Sequence, residues 1–311
     1  MKTVGVEQGP MYDRLLLAVD GSEEARHAAR RGLELAQRFA ADVDVLHVVP
    51  QKTLRLAVSG DEKTQLRERG QTALTAVEND ASDREFGQQL TTSLREGTPA
   101  VEISEHAAEQ DADLIVLGRQ GVTGLKTKLL GGVTEQVLHR AGSPVFVVPN
   151  EEQPTPTAQS YSKLLVPTDG SDNAEAATLH SIAVAASYGS TVHVLNVVDL
   201  QDAGGMFSAG GLDMQFVDRL EASGQTAVDR VADEITAADV ALDVETAVER
   251  TASFNGVVAG VREYVSDTDI DLIVMGSHGR SNLKRQLLGS VAASVLRSVD
   301  VPVLVVNRQQ Q

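Results

Sequence analysis

The chain has 311 residues, 42% of them hydrophobic, which is enough for two domains of about 150 residues that each bury a core. It contains no cysteine, which excludes disulfides, a thiol nucleophile and thiolate metal sites. The formal net charge of −17 argues against general affinity for nucleic acid, because neutralising phosphates requires a basic surface.

In the first half, short apolar segments alternate with helical ones. Residues 1–12 have no pattern and are predicted to be a loose leader. The predicted strands are residues 14–20, 43–50, 90–96, 114–117 and 144–148. The first strand ends at Asp20, and Ser22 is placed to cap the helix that follows. This alternation predicts right-handed crossovers and a parallel sheet covered by helices on both faces.

Residues 150–160 are rich in proline and polar residues and predict a linker between domains at 1–149 and 161–311. The second half repeats the first, since Asp169 follows Asp20 at a distance of 149 residues. Further along, matching residues are 158 apart, so nine residues are inserted in the second half. We place the insertion at the glycine-rich segment 204–211, as a tolerated surface loop or as a lid or partner contact.

The most informative stretch follows the apolar run 272–275. Gly276 and Gly279 come directly after this run, and Gly289 and Ser290 then precede a helix. Glycines let a ligand approach the backbone, and the free N–H groups at the start of a helix favour an anion. The pattern therefore predicts a phosphate cradle.

The first half carries the same pattern with the same nine-residue gap. Its glycines are Gly118, Gly121, Gly131 and Gly132. Gly132 stands where the second half has Ser290, so a hydroxyl donor is missing although the backbone N–H groups remain. The loop of the second half also holds cationic or protonatable side chains, which could contact phosphate or could only offset local acidity: His278, Arg280, Lys284 and Arg285.

The spacing Gly-x2-Gly-x9-Gly-Ser resembles the nucleotide-binding signature of the universal stress protein family. The resemblance covers nearly the whole chain apart from the leader, the linker and the insertion. It implies an α/β fold of two tandem domains, each a five-stranded parallel sheet of order 3-2-1-4-5 with helices on both faces. In such a sheet the ligand crevice opens at the carboxyl ends of strands 1 and 4.

The resemblance also implies that ATP or AMP is bound, with Mg²⁺ entering alongside ATP. In the second half the implied contacts are Pro167, Thr168, Asp169 and Val197 at the base and ribose, and Met275, Gly276, Gly279, Arg280, Gly289, Ser290 and Val291 at the ribose and phosphates. The matching residues of the first half are Ala18, Val19, Asp20, Val48, Leu117, Gly118, Gly121, Gly131, Gly132 and Val133.

Several of these residues also have structural interpretations. Asp20 and Asp169 could only cap helices, and Ser290 could be only an N-cap. Met275 and Leu117 are core-like in any setting. Because the first half lacks the hydroxyl of Ser290 and the charge at position 280, we expect the second half to bind nucleotide more tightly.

Three classes of function remain open. The favoured one is a stress-response protein in which a bound adenine nucleotide alters conformation or assembly, a regulatory role rather than a catalytic one. The second is an interaction scaffold of the same fold that needs no nucleotide. The third is a slow ATP hydrolase, against which stands the lack of a convincing nucleophile or paired acid and base beside the glycines.

Each half ends in an apolar strand, at 144–148 and 302–306, that no charge interrupts. Strands at a sheet margin carry unpaired backbone groups and invite pairing. In single-domain members of the family this strand pairs two subunits, and a linker of about eleven residues can span about 30 Å. We therefore predict an intramolecular pseudo-dimer with the terminal strands antiparallel, on which a homodimer could be built.

The sequence shows no secretory signal and no apolar run near the ~18 residues that span a bilayer. We therefore expect a protein of the cytoplasm that does not engage a membrane. The acidity and the few basic residues are typical of the hydrated surface of halophilic proteins, on which salt screens self-repulsion. An ordinary, mildly acidic protein is the alternative.

Overall fold

The computed structural model describes residues 11–121, 129–150, 161–200, 214–279 and 288–307. Its strands are β1 (Arg14–Val19), β2 (Asp42–Pro50), β3 (Leu90–Gly97), β4 (Leu114–Gly118), β5 (Val145–Val148), β6 (Lys163–Pro167), β7 (Thr191–Asp199), β8 (Val244–Thr251), β9 (Leu272–Gly276) and β10 (Val303–Val306). Its helices are α1 (Glu23–Phe39), α2 (Gln51–Leu56), α3 (Gly60–Asp83), α4 (Pro99–Glu109), α5 (Gly132–Arg140), α6 (Asp172–Tyr188), α7 (Met214–Ala237), α8 (Gly256–Asp267) and α9 (Ser290–Ser298). Within these ranges no helix is both long and apolar enough to cross a bilayer.

The strands form one ten-stranded sheet of order β3-β2-β1-β4-β5-β10-β9-β6-β7-β8. Each half contributes five parallel strands in the order 3-2-1-4-5, which confirms the predicted topology. The halves meet where β5 pairs with β10, and this pairing is antiparallel. The predicted contact between the two terminal strands is therefore confirmed.

Successive side chains along a strand point to opposite faces of the sheet, and those on both faces are buried. The sheet therefore has an apolar core on each face. Leu15 and Leu17 of β1 belong to the core beneath α1 and α3, whereas Leu16 belongs to the core beneath α4 and α5. Both cores continue across the seam between the halves, where Phe146 lies opposite Leu304. Strands buried on both faces explain why the apolar runs are continuous rather than alternating.

The helix that follows the first strand begins as predicted. The hydroxyl of Ser22 accepts a hydrogen bond from the N–H of Ala25 at 3.1 Å, a cap that contributes about 1 kcal/mol. Ser171 caps α6 in the same way, accepting from Ala174. Left-handed residues end both helices, Ala40 in α1 and Gly189 in α6.

The prediction of a loose leader is wrong for its last two residues, and residues 1–10 lie outside the described ranges. Tyr12 is 0% exposed, and its ring meets that of Phe39 with centroids 4.9 Å apart. Its hydroxyl is 2.6 Å from Nδ1 of His180, a residue of α6 in the other half. A buried tyrosine needs a partner for its hydroxyl, and this partner comes from the other half.

The nine inserted residues are divided between two places, which corrects the prediction of one insertion at 204–211. Val43 of β2 pairs with Leu90, and its counterpart Val192 pairs with Val244. Matching residues are thus 149 apart in the second strand of each half and 154 apart in the third, so five residues enter between β7 and β8. The other four residues enter between β8 and β9. Most of them lie in the loop 252–255 between β8 and α8, because the corresponding loop of the first half consists of Thr98 alone. Segment 204–211 lies outside the described residues.

The buried contact at His180 predicts an acid-sensitive stability. Burial lowers the pKa of His180 to about 4, whereas an unfolded histidine has a pKa of about 6.5. Below pH ~6.5 the unfolded chain takes up a proton that the folded chain refuses, so stability falls as the pH drops toward about 4. We expect the free energy of unfolding to fall in this window by up to about 3 kcal/mol more in the parent than in His180→Gln. Urea unfolding at several pH values measures this, and parallel profiles for the two proteins would contradict it.

Candidate binding sites at the carboxyl ends of the strands

In both halves a carboxylate after the first strand lies against the first loop glycine. A Cβ added to Gly279 would lie only 2.4 Å from Oδ2 of Asp169, and one added to Gly121 would lie 2.2 Å from Oδ2 of Asp20. A side chain at either position would force the carboxylate or the loop to move. The structure therefore brings the predicted aspartates and glycines together, and it explains why each loop needs glycine here.

The two aspartates do not cap the helices. The interpretation that Asp20 and Asp169 serve only as helix caps is therefore wrong. Oδ1 of Asp169 accepts from the N–H of Ser171 at 3.0 Å. Oδ1 of Asp20 accepts from both the N–H and the hydroxyl of Ser22, at 3.0 and 2.6 Å. In each half the serine caps the helix, and the carboxylate braces the turn before it while its other oxygen faces the glycine loop.

In each half, the glycine before the motif helix, Gly289 or Gly131, forms a hydrogen bond back to the beginning of the loop. The N–H of Gly289 donates to the carbonyl of Ser277 at 2.8 Å, and the N–H of Gly131 donates to the carbonyl of Arg119 at 2.8 Å. The prediction that Gly289 and Gly131 offer this N–H to phosphate is therefore wrong, because the hydrogen bond is made inside the loop. Within the described residues, the N–H groups of Ser290 and Val291 have no partner.

Ser290 is the first residue of α9, and Gly289 is its N-cap, so the N-cap interpretation of Ser290 is wrong. The Ser290 side chain is exposed, and that of Val291 is 37% exposed. In the first half, a Cβ at Gly132 would meet no atom within 4 Å, and Val133 is 38% exposed. Both motif helices thus begin at an open surface.

The residues predicted at the base line the ends of the first and second strands. Pro167 ends β6, and the carbonyl of the buried Thr168 accepts from Nδ2 of Asn196 at 2.7 Å. Val197 packs under α8, where a Cβ at Gly260 would lie 2.6 Å from Cγ1 of Val197. The matching residues Ala18, Val19 and Val48 are buried at the ends of β1 and β2.

The fourth strand of each half forms the floor of the site. Met275 is 5% exposed and Leu117 is 4% exposed. Both belong to the hydrophobic core, as their apolar side chains predict. Gly276 and Gly118 end their strands. A Cβ at Gly118 would lie 3.0 Å from the carbonyl oxygen of Gln120, so this glycine permits the tight exit from β4.

Asn196 and His47 are supporting residues that the sequence analysis missed. Asn196 holds the carbonyl of Thr168, and His47 lies beside Val19, the matching residue of the first half, in the pairing of β1 with β2. Burial lowers the pKa of His47. The two residues occupy the same place in the repeat, 149 positions apart. This equivalence could have indicated a shared supporting role, but the side chains of histidine and asparagine differ too much for the repeat to be noticed here.

Of the cationic and protonatable residues named in this loop, His278 lies within the described ranges. Burial, and secondarily the nearby His139, lowers the pKa of His278, so its ring is neutral at neutral pH. Its Nδ1 is 2.9 Å from the hydroxyl of Ser277. Arg280, Lys284 and Arg285 lie outside the described residues.

An open cleft of about 610 Å³ lies between α8 and α9, next to the start of the motif helix. Ser290 and Val291 line one side, and Asp199 and Val258 line another. Phe254, in the inserted loop 252–255, forms part of its rim and is 97% exposed. Of the motif residues, Ser290 and Val291 line this cleft, whereas Asp169, Gly276 and Gly279 do not.

The comparisons with known proteins agree with this architecture. The model of the universal stress protein family matches residues 11–149 and 160–307. A universal stress protein of Methanocaldococcus jannaschii is 38% identical over 142 residues, which cover 44% of this chain and 82% of that protein. One from Mycobacterium bovis is 29% identical over 308 residues, covering 94% of this chain and 97% of that protein.

The similarity in structure also extends along the chain. The crystal structure of a universal stress protein from Archaeoglobus fulgidus matches with a TM-score of 0.70 at 21% sequence identity, covering 96% of this chain and 98% of that one. At that identity the match speaks for the fold alone, whereas the family model matches both halves separately. The chain therefore belongs to the universal stress protein family and contains two copies of its domain in tandem.

Proposed function

We propose that each half binds an adenine nucleotide, ATP or AMP, and that occupancy regulates the conformation or assembly of the protein. The observation that carries this is the repeated contact between a carboxylate and the first loop glycine, Asp169 with Gly279 and Asp20 with Gly121. Beside each contact the motif helix begins at an open surface. A carboxylate can accept hydrogen bonds from ribose hydroxyls or an adenine amino group, and a helix N-terminus favours phosphate.

With ATP as the ligand, Mg²⁺ would enter with the phosphates. Within the described ranges, no three histidine, aspartate or glutamate side chains stand close enough to hold a metal ion. Phosphate oxygens and water would therefore supply most of its ligands, as is usual for Mg²⁺ with nucleotides.

Mass spectrometry of ligand released from the purified protein tests the proposal directly. We expect ATP, ADP or AMP to be released, and we expect Asp169→Ala to reduce the amount. An empty protein that also fails to bind nucleotide in calorimetry would favour the scaffold alternative. Turnover of ATP that Asp169→Ala and Ser290→Ala abolish would favour the hydrolase alternative.

The two sites should differ in affinity, because the exposed hydroxyl of Ser290 has no counterpart at Gly132. We expect Ser290→Gly to weaken the second site by on the order of 1 kcal/mol, or about fivefold, and Gly132→Ser to strengthen the first. Titration calorimetry of the two-site protein measures both, and the unaltered site in each variant serves as its control. Equal affinities of the two sites in the parent would contradict the asymmetry.

Three expectations from the sequence stay predictions. They are a location in the cytoplasm, a halophilic source, and a homodimer built on the pseudo-dimer. Thermal unfolding in rising concentrations of KCl addresses the second, since salt stabilises a protein whose acidic surface repels itself.

A further inference from the structure

A residue of the first half holds the loop of the second-half site. The N–H of Leu288 donates to Nδ1 of His139 at 2.8 Å, and this contact is partly buried. Leu288 directly precedes Gly289 and Ser290, at which α9 begins. His139 lies in the last turn of α5, in the other half.

Within the described ranges, the first half receives no matching contact from the second. The residue that matches His139, 158 positions further on, is Arg297, whose guanidinium cannot accept a hydrogen bond. Arg297 instead contacts Oε1 of Glu135 at 3.1 Å. The first loop is closed from within its own half, because Nε2 of Gln120 donates to the carbonyl of Leu129 at 2.6 Å.

In the described part of the second half, no side chain makes the contact that Gln120 makes in the first half, and Leu287, which matches Leu129, lies outside that part. His278 matches Gln120, but its Nδ1 contacts the neighbouring Ser277, and within the described residues its buried Nε2 has no hydrogen-bond partner. His139, a residue of the other half, instead contacts the backbone directly before α9.

The helix that carries His139 is fixed to the second half by other contacts along the seam. Nδ2 of Asn307 donates to the carbonyl of Ala141 at 2.9 Å, just after α5 ends. The guanidinium of Arg119, which follows β4, donates to the carbonyl of Val299 at 2.7 Å, at the end of α9. The position of His139 is thus set by the pseudo-dimer.

We propose that His139 is a positioning residue, through which the first half fixes the backbone directly before α9 at the second nucleotide site. The inference rests on the proposed function. A neutral imidazole that carries its proton on Nε2 accepts at Nδ1, and this acceptor fixes the N–H of Leu288. Without it, nucleotide binding would have to order the start of α9, which lowers affinity.

Hydrogen exchange of the full chain without nucleotide tests the contact itself. We expect the amide of Leu288 to lose protection by about fivefold or more in His139→Ala, the loss of one hydrogen bond. His139→Asn, which places an amide oxygen near the position of Nδ1, should restore most of it. Gln120→Ala is the matched control, since it opens the first loop and should leave Leu288 protected.

Titration calorimetry with ATP then measures how the loss of this contact changes the affinity of each site. We expect His139→Ala to weaken the second site about fivefold, His139→Asn to restore it, and the first site to be unchanged in both. Unchanged exchange at Leu288 in His139→Ala, or equal weakening of both sites, would overturn the inference while leaving the proposed function intact. A parent protein that binds no nucleotide would overturn both.

Discussion

Gly279→Val is expected to abolish nucleotide binding in the second half and to leave the first-half site intact. A Cβ at position 279 would lie 2.4 Å from Oδ2 and 3.4 Å from Cγ of Asp169, and valine adds two further methyl groups. The carboxylate cannot simply turn away, because its Oδ1 accepts from the N–H of Ser171 at the start of α6. Either the loop or the carboxylate must leave its place, and the proposed site uses both.

We expect this loss to exceed about 100-fold in affinity, or about 3 kcal/mol. Calorimetry measures it, and Gly121→Val should do the same to the first site. Gly142→Val is the matched control, because a Cβ at Gly142 would meet no atom within 4 Å. Second-site affinity equal to that of the parent would contradict the assignment of the site.

In the structure, Gly279 has a different neighbour from the one that the sequence predicts. From the sequence, the glycine keeps space for ribose and phosphate. The structure shows that the space is already taken by the carboxylate of Asp169. The pattern of glycines identified the right residues, but spacing along a chain cannot tell which atom from a distant strand will approach a glycine.

The fold could be predicted further than the site. Buried strands, serine-capped helices and an internal repeat each leave a local pattern, and the resemblance supplied the strand order. Contacts between residues that are distant in the sequence leave no such local pattern. Tyr12 looked like part of a loose arm because His180, which bonds its hydroxyl, is 168 residues away. The N–H of Gly289 looked available because its acceptor, the carbonyl of Ser277, lies across the loop.

The largest loss of stability is expected from Val147→Lys combined with Val305→Lys. In the antiparallel pairing of β5 with β10, Val147 lies opposite Val303 and Val305 lies opposite Val145. Val147 is 1% exposed and Val305 is 0% exposed, and both belong to the core beneath α5 and α9. The double variant therefore places two ammonium groups in a seam whose described core residues are hydrophobic.

An uncompensated buried charge costs about 3–5 kcal/mol, and a typical protein has only about 5–15 kcal/mol of stability. We therefore expect the halves to come apart, with a larger radius of gyration in small-angle scattering and a lower urea midpoint. Val58→Lys with Val240→Lys is the matched control, because these side chains are 94% and 39% exposed and the added charge is the same. If the core variant were as compact and as stable as this control, the paired strands would not be what joins the halves. If the core variant alone expands and loses stability, the added charge by itself is excluded as the cause, because both variants carry it.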